Sequence, residues 1–227
     1  MINGDSPTSD RQARADWIKV FLSNSYCKAE EKQQWSYYGR TNAKIMLDDG
    51  VTRSIEVLGS TYDLKSLHFH WGSPNNAGSE HILDGIHYDC EAHFVHKNER
   101  NGVAVIAVLY EKNAGINKAF NPIVDALPEI VYKGKRVSLP SQLHLQQLLT
   151  QDSENFYHYN GSLTTPECDE TVSWFILKGI NYIGKTQMAP FYKLRTVTET
   201  ESHENCNLVN NYRLTQELNG RIVFSPK

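Results

Sequence analysis

Residues 66–96 read SLHFHWGSPNNAGSEHILDGIHYDCEAHFVH and hold six of the nine histidines in a chain of 227 residues. Leu67–Trp71 is a bulky, mostly apolar run, the pattern of a strand. Alternate side chains on a strand share a face, so His68 and His70 point the same way, ~7 Å apart. Burying two imidazoles side by side costs free energy unless each is paired. A metal ion pairs both. Glu91-Ala92-His93-Phe94-Val95-His96 offers a third ligand on a second strand. Glu91, His93 and Val95 share one face of it; Ala92, Phe94 and His96 share the other. Strand chemistry alone allows His93 or His96. Three neutral imidazoles with a fourth position open are the donor set of a catalytic zinc, whereas structural zinc closes all four positions, often with cysteine. His81, His87, His144, His158 and His203 read as surface or hydrogen-bonded core residues.

Working outward, the chain has the length of one larger domain, with residues 1–16 a polar, irregular lead-in. Apolar residues make up 40% and charged residues 22%, and the net charge is −3. No basic tract points to nucleic acid. No apolar run approaches the ~18 residues of a membrane span. The start, MINGDSPTSDRQARAD, lacks the apolar core of a signal peptide. Cys27, Cys90, Cys168 and Cys206 form no CxxC pair, which argues against a cysteine zinc site. Oligomeric state is not legible.

Trp17–Leu22 reads as a helix by the spacing of Trp17, Val20 and Phe21 or as a strand by its bulky residues, and strands are expected at Ala43–Leu47 and Ser54–Leu58 around an Asp48-Asp49-Gly50 turn signal, and at Tyr62–Trp71. Cys27–Gln34 reads as a solvated turn, and Trp35–Tyr38 resumes apolar character. Ser73–Ser79 is a loop by its Gly, Pro and Asn. Further strands are expected at Ile86–His96, Gly102–Tyr110, Phe156–Tyr159, Thr171–Lys178 and Arg221–Phe224. Gly102–Tyr110 is continuously apolar, as a strand covered on both faces should be. Helices are expected over Ala114–Pro128, Gln142–Leu149 and Gln187–Lys193. Many short strands with few helices indicate a β-dominated α+β domain.

Five motifs in order, HFHWG, GSEH, ExHxVH, GSLTTP with Cys and VSW, and NNYRxTQ, run from Leu67 to Gln216. Together they resemble the alpha class of carbonic anhydrases. The resemblance implies a large, twisted, mostly antiparallel central sheet with short peripheral helices, and favours a strand over a helix near Ile18–Tyr26. It selects His93 over His96, giving His68, His70 and His93 as the ligands of Zn2+. It implies Glu91 as acceptor for the outer ring N–H of His93 and the Asn211 carbonyl as acceptor for His70. The position that serves His68 holds Ser66, shorter than the family's glutamine, so that a water bridges the gap or the contact is lost.

The activity implied is reversible hydration of carbon dioxide to bicarbonate by a zinc-bound hydroxide. Thr164 and Glu80 orient the nucleophile, and Val95, Val105, Leu163, Thr165, Val172 and Trp174 line the pocket. The family's shuttle histidine has no counterpart in Gly39–Lys44, which implies slowed proton export; Lys44 titrates far above pH 7 in its ordinary state. The alternative is a non-catalytic or weakly active binding or matrix protein of the same fold, against which the three histidines, Thr164 and Glu80 speak. A peptide-cleaving zinc hydrolase would need HExxH or a similar signature. Cys168 resembles the cysteine of secreted and membrane-anchored members, whose partner precedes a segment like Gly4-Asp5-Ser6-Pro7. That partner would fall at or before Met1, leaving a truncated chain, a reassigned start, a free Cys168 or pairing with Cys27. An extracellular setting is favoured, with a cytoplasmic one the alternative. Asn160-Gly161-Ser162 is read as a chance glycosylation match.

Overall fold

The computed structural model describes residues 18–19, 34–38, 42–47, 51–204 and 206–226. The lead-in 1–16, residues 20–26 of the expected first strand, residues 27–33 of the expected turn with Cys27, the Asp48–Gly50 turn signal and Gly39–Thr41 lie outside the described residues.

One large sheet dominates. Its strands are β1 (Ile18–Lys19), β2 (Gln34–Tyr38), β3 (Asn42–Met46), β4 (Ser54–Val57), β5 (Ser60–Trp71), β8 (Cys90–Lys97), β9 (Val103–Asn113), β10 (Arg136–Ser138), β11 (Phe156–Gly161), β12 (Val172–Leu177) and β13 (Asn181–Gly184). A separate hairpin holds β6 (Ile82–Leu83) and β7 (Ile86–His87). The main order is β10-β2-β3-β5-β8-β9-β12-β11, with β4 on β5, β1 on β4 and β13 on β9. The pairings are antiparallel except β9 with β12 and with β13. The β-dominated, mostly antiparallel architecture expected from the sequence is therefore what forms.

Alternation explains the two faces. Leu67, Phe69 and Trp71 on β5, Ala92 and Phe94 on β8, and Ala104, Ile106, Val108 and Tyr110 on β9 point into the main core, under the helices. Val103, Val105, Ala107 and Leu109 on β9 point the other way, with Val172, Trp174 and Ile176 of β12. The continuous apolar run of β9 thus serves both faces. The histidine pair lies on the second face.

Several expected elements differ. Ser54–Val57 does not form a hairpin with the strand before it; it pairs with Ser60–Asp63 through a tight turn at Leu58 and Gly59, both at positive φ. β3 pairs instead with Ser66–His68, farther along β5. The expected strand Ile86–His96 breaks at Tyr88–Asp89, because Ile86–His87 turns back on Ile82–Leu83 through Asp84-Gly85, again at positive φ. The break frees the Tyr88 carbonyl to accept from the backbone N–H of Gly78 and Ser79. Ala114–Pro128 is not one helix. A 3-10 turn at Lys118–Phe120 leads into α1 (Asn121–Ala126) and a 3-10 turn at Leu127–Ile130, with Pro122 and Pro128 each at a start. Phe120, Ile123 and Leu127 are buried as the spacing predicts, while Ile116 is exposed. α2 is Leu145–Leu148. α3 (Lys185–Met188) stops before Pro190, which cannot continue the ladder, and a 3-10 turn follows at Phe191–Lys193. The expected strand Arg221–Phe224 is reduced to one bridge between Phe224 and His158.

Candidate metal centre

The centre follows from register. Antiparallel pairing sets His68 of β5 directly opposite His93 of β8, and His70 opposite Glu91. Opposed residues share a face with Cβ atoms roughly 5 Å apart. His93, and not His96, therefore meets His68; His96 lies on the main-core side, 4% exposed. Ring centroids are 5.0 Å apart for His68–His70, 5.1 Å for His68–His93 and 4.6 Å for His70–His93. One nitrogen from each lies within 4.8 Å of the others, a cluster able to hold a metal ion.

The outer nitrogens are engaged on two of the three rings. His70 Nδ1 lies 2.7 Å from the Asn211 carbonyl, leaving the buried Nε2 without a protein partner. His93 Nε2 lies 2.7 Å from Glu91 Oε1, leaving Nδ1 toward the centre. Donation to those acceptors sets the tautomer that presents a lone pair inward. His68 differs, for its Nδ1 is buried and unpartnered. Ser66, 1% exposed and on the same face, makes no hydrogen bond to it. Burial pushes the pKa of His70 down to about 3 and that of His68 well below the ordinary value, the neighbouring imidazoles adding to the shift. Neutral imidazoles are the form that binds metal.

A second cluster, His81, Glu91 and His93, also passes the distance test for a metal. Its hydrogen bonds argue against that use. Glu91 Oε2 accepts from the backbone N–H of Glu80 and His81, at 2.7 and 2.8 Å. Its Oε1 is engaged by His81 Nδ1 and His93 Nε2. All four acceptor sites of the carboxylate are filled. Burial opposes its charge, but His81 and His93 outweigh that and hold its pKa well below the carboxylate range. Burial likewise opposes protonation of His81, and Glu91 outweighs it and raises the pKa. His81 Nε2 continues the chain to the Tyr159 hydroxyl at 2.8 Å. His81 and Tyr159 are thus parts of the site that sequence reasoning missed; the adjacency of His81 to Glu80 in GSEH was the available signal.

Glu80 stands beside the centre, its Oε1 3.3 Å from His70 Nδ1 and its Oε2 3.9 Å from His93 Nδ1. Oε1 accepts from the Arg213 backbone N–H at 2.7 Å. Arg213, in NNYR, is a second contributor not foreseen; its Nη1 donates to Ser162 Oγ. Burial raises the Glu80 pKa, partly offset by His93 and by hydrogen-bond donors including Thr164. Thr164 is near enough to favour the ionised carboxylate, yet Oε2 has no partner at full hydrogen-bond geometry. The approach of Thr164 to Glu80 is loose. Such contacts commonly tighten only with substrate in place.

The expected apolar wall gathers on the same face. Val95 pairs with Val105, and Val105 with Trp174. Val172 belongs to that cluster, with Val95 and Leu163 packed against it. The Trp174 ring is 4.7 Å from His93, and its Nε1 donates to the Ser162 carbonyl. Thr165 lies in the following loop, where its carbonyl accepts from the Cys168 N–H. Among the described residues Cys90, Cys168 and Cys206 are free thiols. A cavity of about 400 Å³ touches Glu80 and Thr164 but none of the three histidines, and lies under the C-terminal tail. No helix among the described residues is long and apolar enough to cross a membrane.

Comparison with known proteins agrees with this geometry. The eukaryotic-type carbonic anhydrase family profile matches residues 8–227. Carbonic anhydrase 4 of Mus musculus is 35% identical over 205 residues, 86% of this chain and 66% of that protein. Carbonic anhydrase 6 of Bos taurus is 37% identical over 179 residues, 73% of this chain and 54% of that protein. Carbonic anhydrase 3 of Homo sapiens is 34% identical over 218 residues, 84% of this chain and 81% of that protein. The chain thus spans between about half and two thirds of the length of the first two.

Proposed function

The chain belongs to the eukaryotic-type carbonic anhydrase family, and from that premise we propose that it is a zinc enzyme catalysing the reversible hydration of carbon dioxide to bicarbonate and a proton. The observation that carries the reading is the convergence of His68, His70 and His93 on one face, with inward lone pairs set by Asn211 and Glu91. Those three would hold the zinc. When bound, it supplies the Lewis acidity that makes water a nucleophile near neutral pH.

The chain's own residues do the rest. Glu91 and the Asn211 carbonyl keep the ring protons on the outer nitrogens. Glu80, anchored by the Arg213 N–H, accepts from the Thr164 hydroxyl as that approach tightens, which leaves the Thr164 oxygen free to accept from the attacking water. Attack is thereby aimed across the apolar wall of Val95, Val105, Leu163, Val172 and Trp174. Carbon dioxide, small and without charge, is suited to such a wall. Release of the proton to solvent is the slow step, because Gly39–Lys44 contains no histidine. The test is stopped-flow carbon dioxide hydration by the purified protein, with metal analysis, before and after chelation. We expect about one zinc per chain and chelator-sensitive hydration; a zinc-free protein, or hydration untouched by chelation, refutes the proposal.

A further inference from the structure

The cavity of about 400 Å³ under the C-terminal tail has no part in the reaction as described. Its size falls at the small end of the ~300–1,000 Å³ range of small-molecule sites. Three elements enclose it. Ile82 and Leu83 come from the β6–β7 hairpin, Ile176 from β12, and Leu218 and Val223 from the tail. This apolar wall is poorly covered, with Ile82 47%, Leu218 53% and Val223 43% exposed. Such a wall gains free energy when an apolar body excludes water from it. Two arginines, Arg213 and Arg221, line the same cavity. Neither pairs with a carboxylate among the described residues. Arg221 is half-buried. Its Nε donates to the Leu218 carbonyl at 2.8 Å and its Nη2 to that of Glu217 at 2.6 Å. Those bonds hold the guanidinium 5.8 Å from the centre of the Tyr159 ring and leave Nη1 uncommitted. Arg213 Nη1 donates to Ser162 Oγ, three residues beyond Tyr159, so both guanidinium groups stand beside one stretch of strand ~10 Å long. Glu80 and Asp84 are the acids on the wall. Glu80 is held at the histidine end by the Arg213 backbone N–H and lies beside His70. Asp84 is exposed in the hairpin turn. A half-buried cation above an apolar wall matches a ligand with one anionic end and one apolar end.

We propose that this cavity is a second ligand site, which takes a small organic monocarboxylate with an aromatic or branched apolar body. The body lies against Ile82, Leu83, Ile176 and Leu218, and the carboxylate meets Arg221, whose planar fork matches two oxygens. A neutral apolar molecule leaves Arg221 unanswered, and an inorganic anion leaves the wall wet. None of His68, His70 and His93 lines the cavity, so the site is separate from the metal centre and does not rest on the reading above.

Phenylbutyrate is the probe, titrated calorimetrically into the full chain, with phenylbutyramide as its neutral counterpart. A charge-assisted contact at a half-buried arginine is worth about five- to tenfold in affinity. Arg221→Gln should weaken phenylbutyrate by that factor and phenylbutyramide by less than about twofold. Arg221→Lys keeps the charge and loses the fork, and should fall between wild type and Arg221→Gln. Leu218→Asp sets a competing carboxylate beside Arg221 and should cost at least as much as Arg221→Gln; Leu218 is exposed, so this change leaves the core untouched. Raising the salt concentration should shrink the difference between wild type and Arg221→Gln. Binding should persist within about twofold in protein stripped of metal that keeps its cooperative unfolding transition. Wild-type phenylbutyrate affinity in Arg221→Gln and Leu218→Asp overturns the site. So does an equal loss of the acid and the amide, binding that vanishes with the metal, or no binding at millimolar phenylbutyrate.

Discussion

Of the three histidines proposed to hold zinc, His68 has an unsupported Nδ1, and this sets the first expectation at the scale of the residue. Its Nδ1 is buried and unpartnered, while its two companions each have an acceptor. Loss of such a contact costs ~10–100-fold in metal affinity or activity. Ser66→Gln places a longer acceptor on the same face and should slow zinc loss to a chelator, by about tenfold at the lower bound of that range. His93→Ala should abolish zinc binding, while His96→Ala should retain it, since His96 faces the main core; metal content distinguishes the two. His96 also carries a pH effect. Burial lowers its pKa from 6.5 to about 4, so between those values the unfolded chain binds more protons than the folded one. Stability is then fully present above about 6.5 and falls as pH drops toward 4. His96→Leu should reduce the loss between pH 7 and pH 5 by about 2 kcal/mol, measured from urea midpoints at the two values. These histidines were all visible in the sequence, but the direction each faces across a pairing was not, because a slip of one residue exchanges the faces.

At the scale of the element, the break between β7 and β8 matters more than any helix. In a single strand Ile86–His96 the Tyr88 carbonyl would be taken up by the ladder and lost to the Gly78 and Ser79 N–H groups. Ending it at Tyr88 lets that carbonyl take two N–H groups from Gly78 and Ser79. The loop must then pass very close to the end of β5. A Cβ on Gly78 would meet the Gly72 nitrogen at 1.7 Å and the Trp71 backbone beyond it. Gly78→Ala should therefore destabilise the fold by about 1–3 kcal/mol, read as a lower unfolding midpoint, and displace Glu80 with the loop. Strand content was legible in the sequence because alternation has a local period of two, as in Leu67, Phe69 and Trp71. The turn at Asp84-Gly85 is local too, since that dipeptide is a hairpin signal. Helix breaks at Pro122, Pro128 and Pro190 were likewise local, and the apolar spacing at Phe120, Ile123 and Leu127 masked them.

At the scale of the whole molecule, the proposed activity depends on the route by which a proton leaves the centre. Hydration rates should rise with the concentration of a small imidazole buffer, because external buffer substitutes for the histidine missing from Gly39–Lys44. Rates indifferent to buffer would contradict this and would indicate a route elsewhere. The amino-acid order by itself determined that His68 and His70 share a face, that His93 or His96 joins them, and that the chain is built mainly of strands. Each follows from spacing along a single segment. The resemblance selected His93 over His96, but only the tertiary structure showed the register that sets His93 opposite His68, that Glu91 is saturated by two histidines and two backbone N–H groups, and that His81, Tyr159 and Arg213 extend the network. These depend on the register between strands, which the pairing of distant segments and the burial of one face impose together and which no local window of sequence contains.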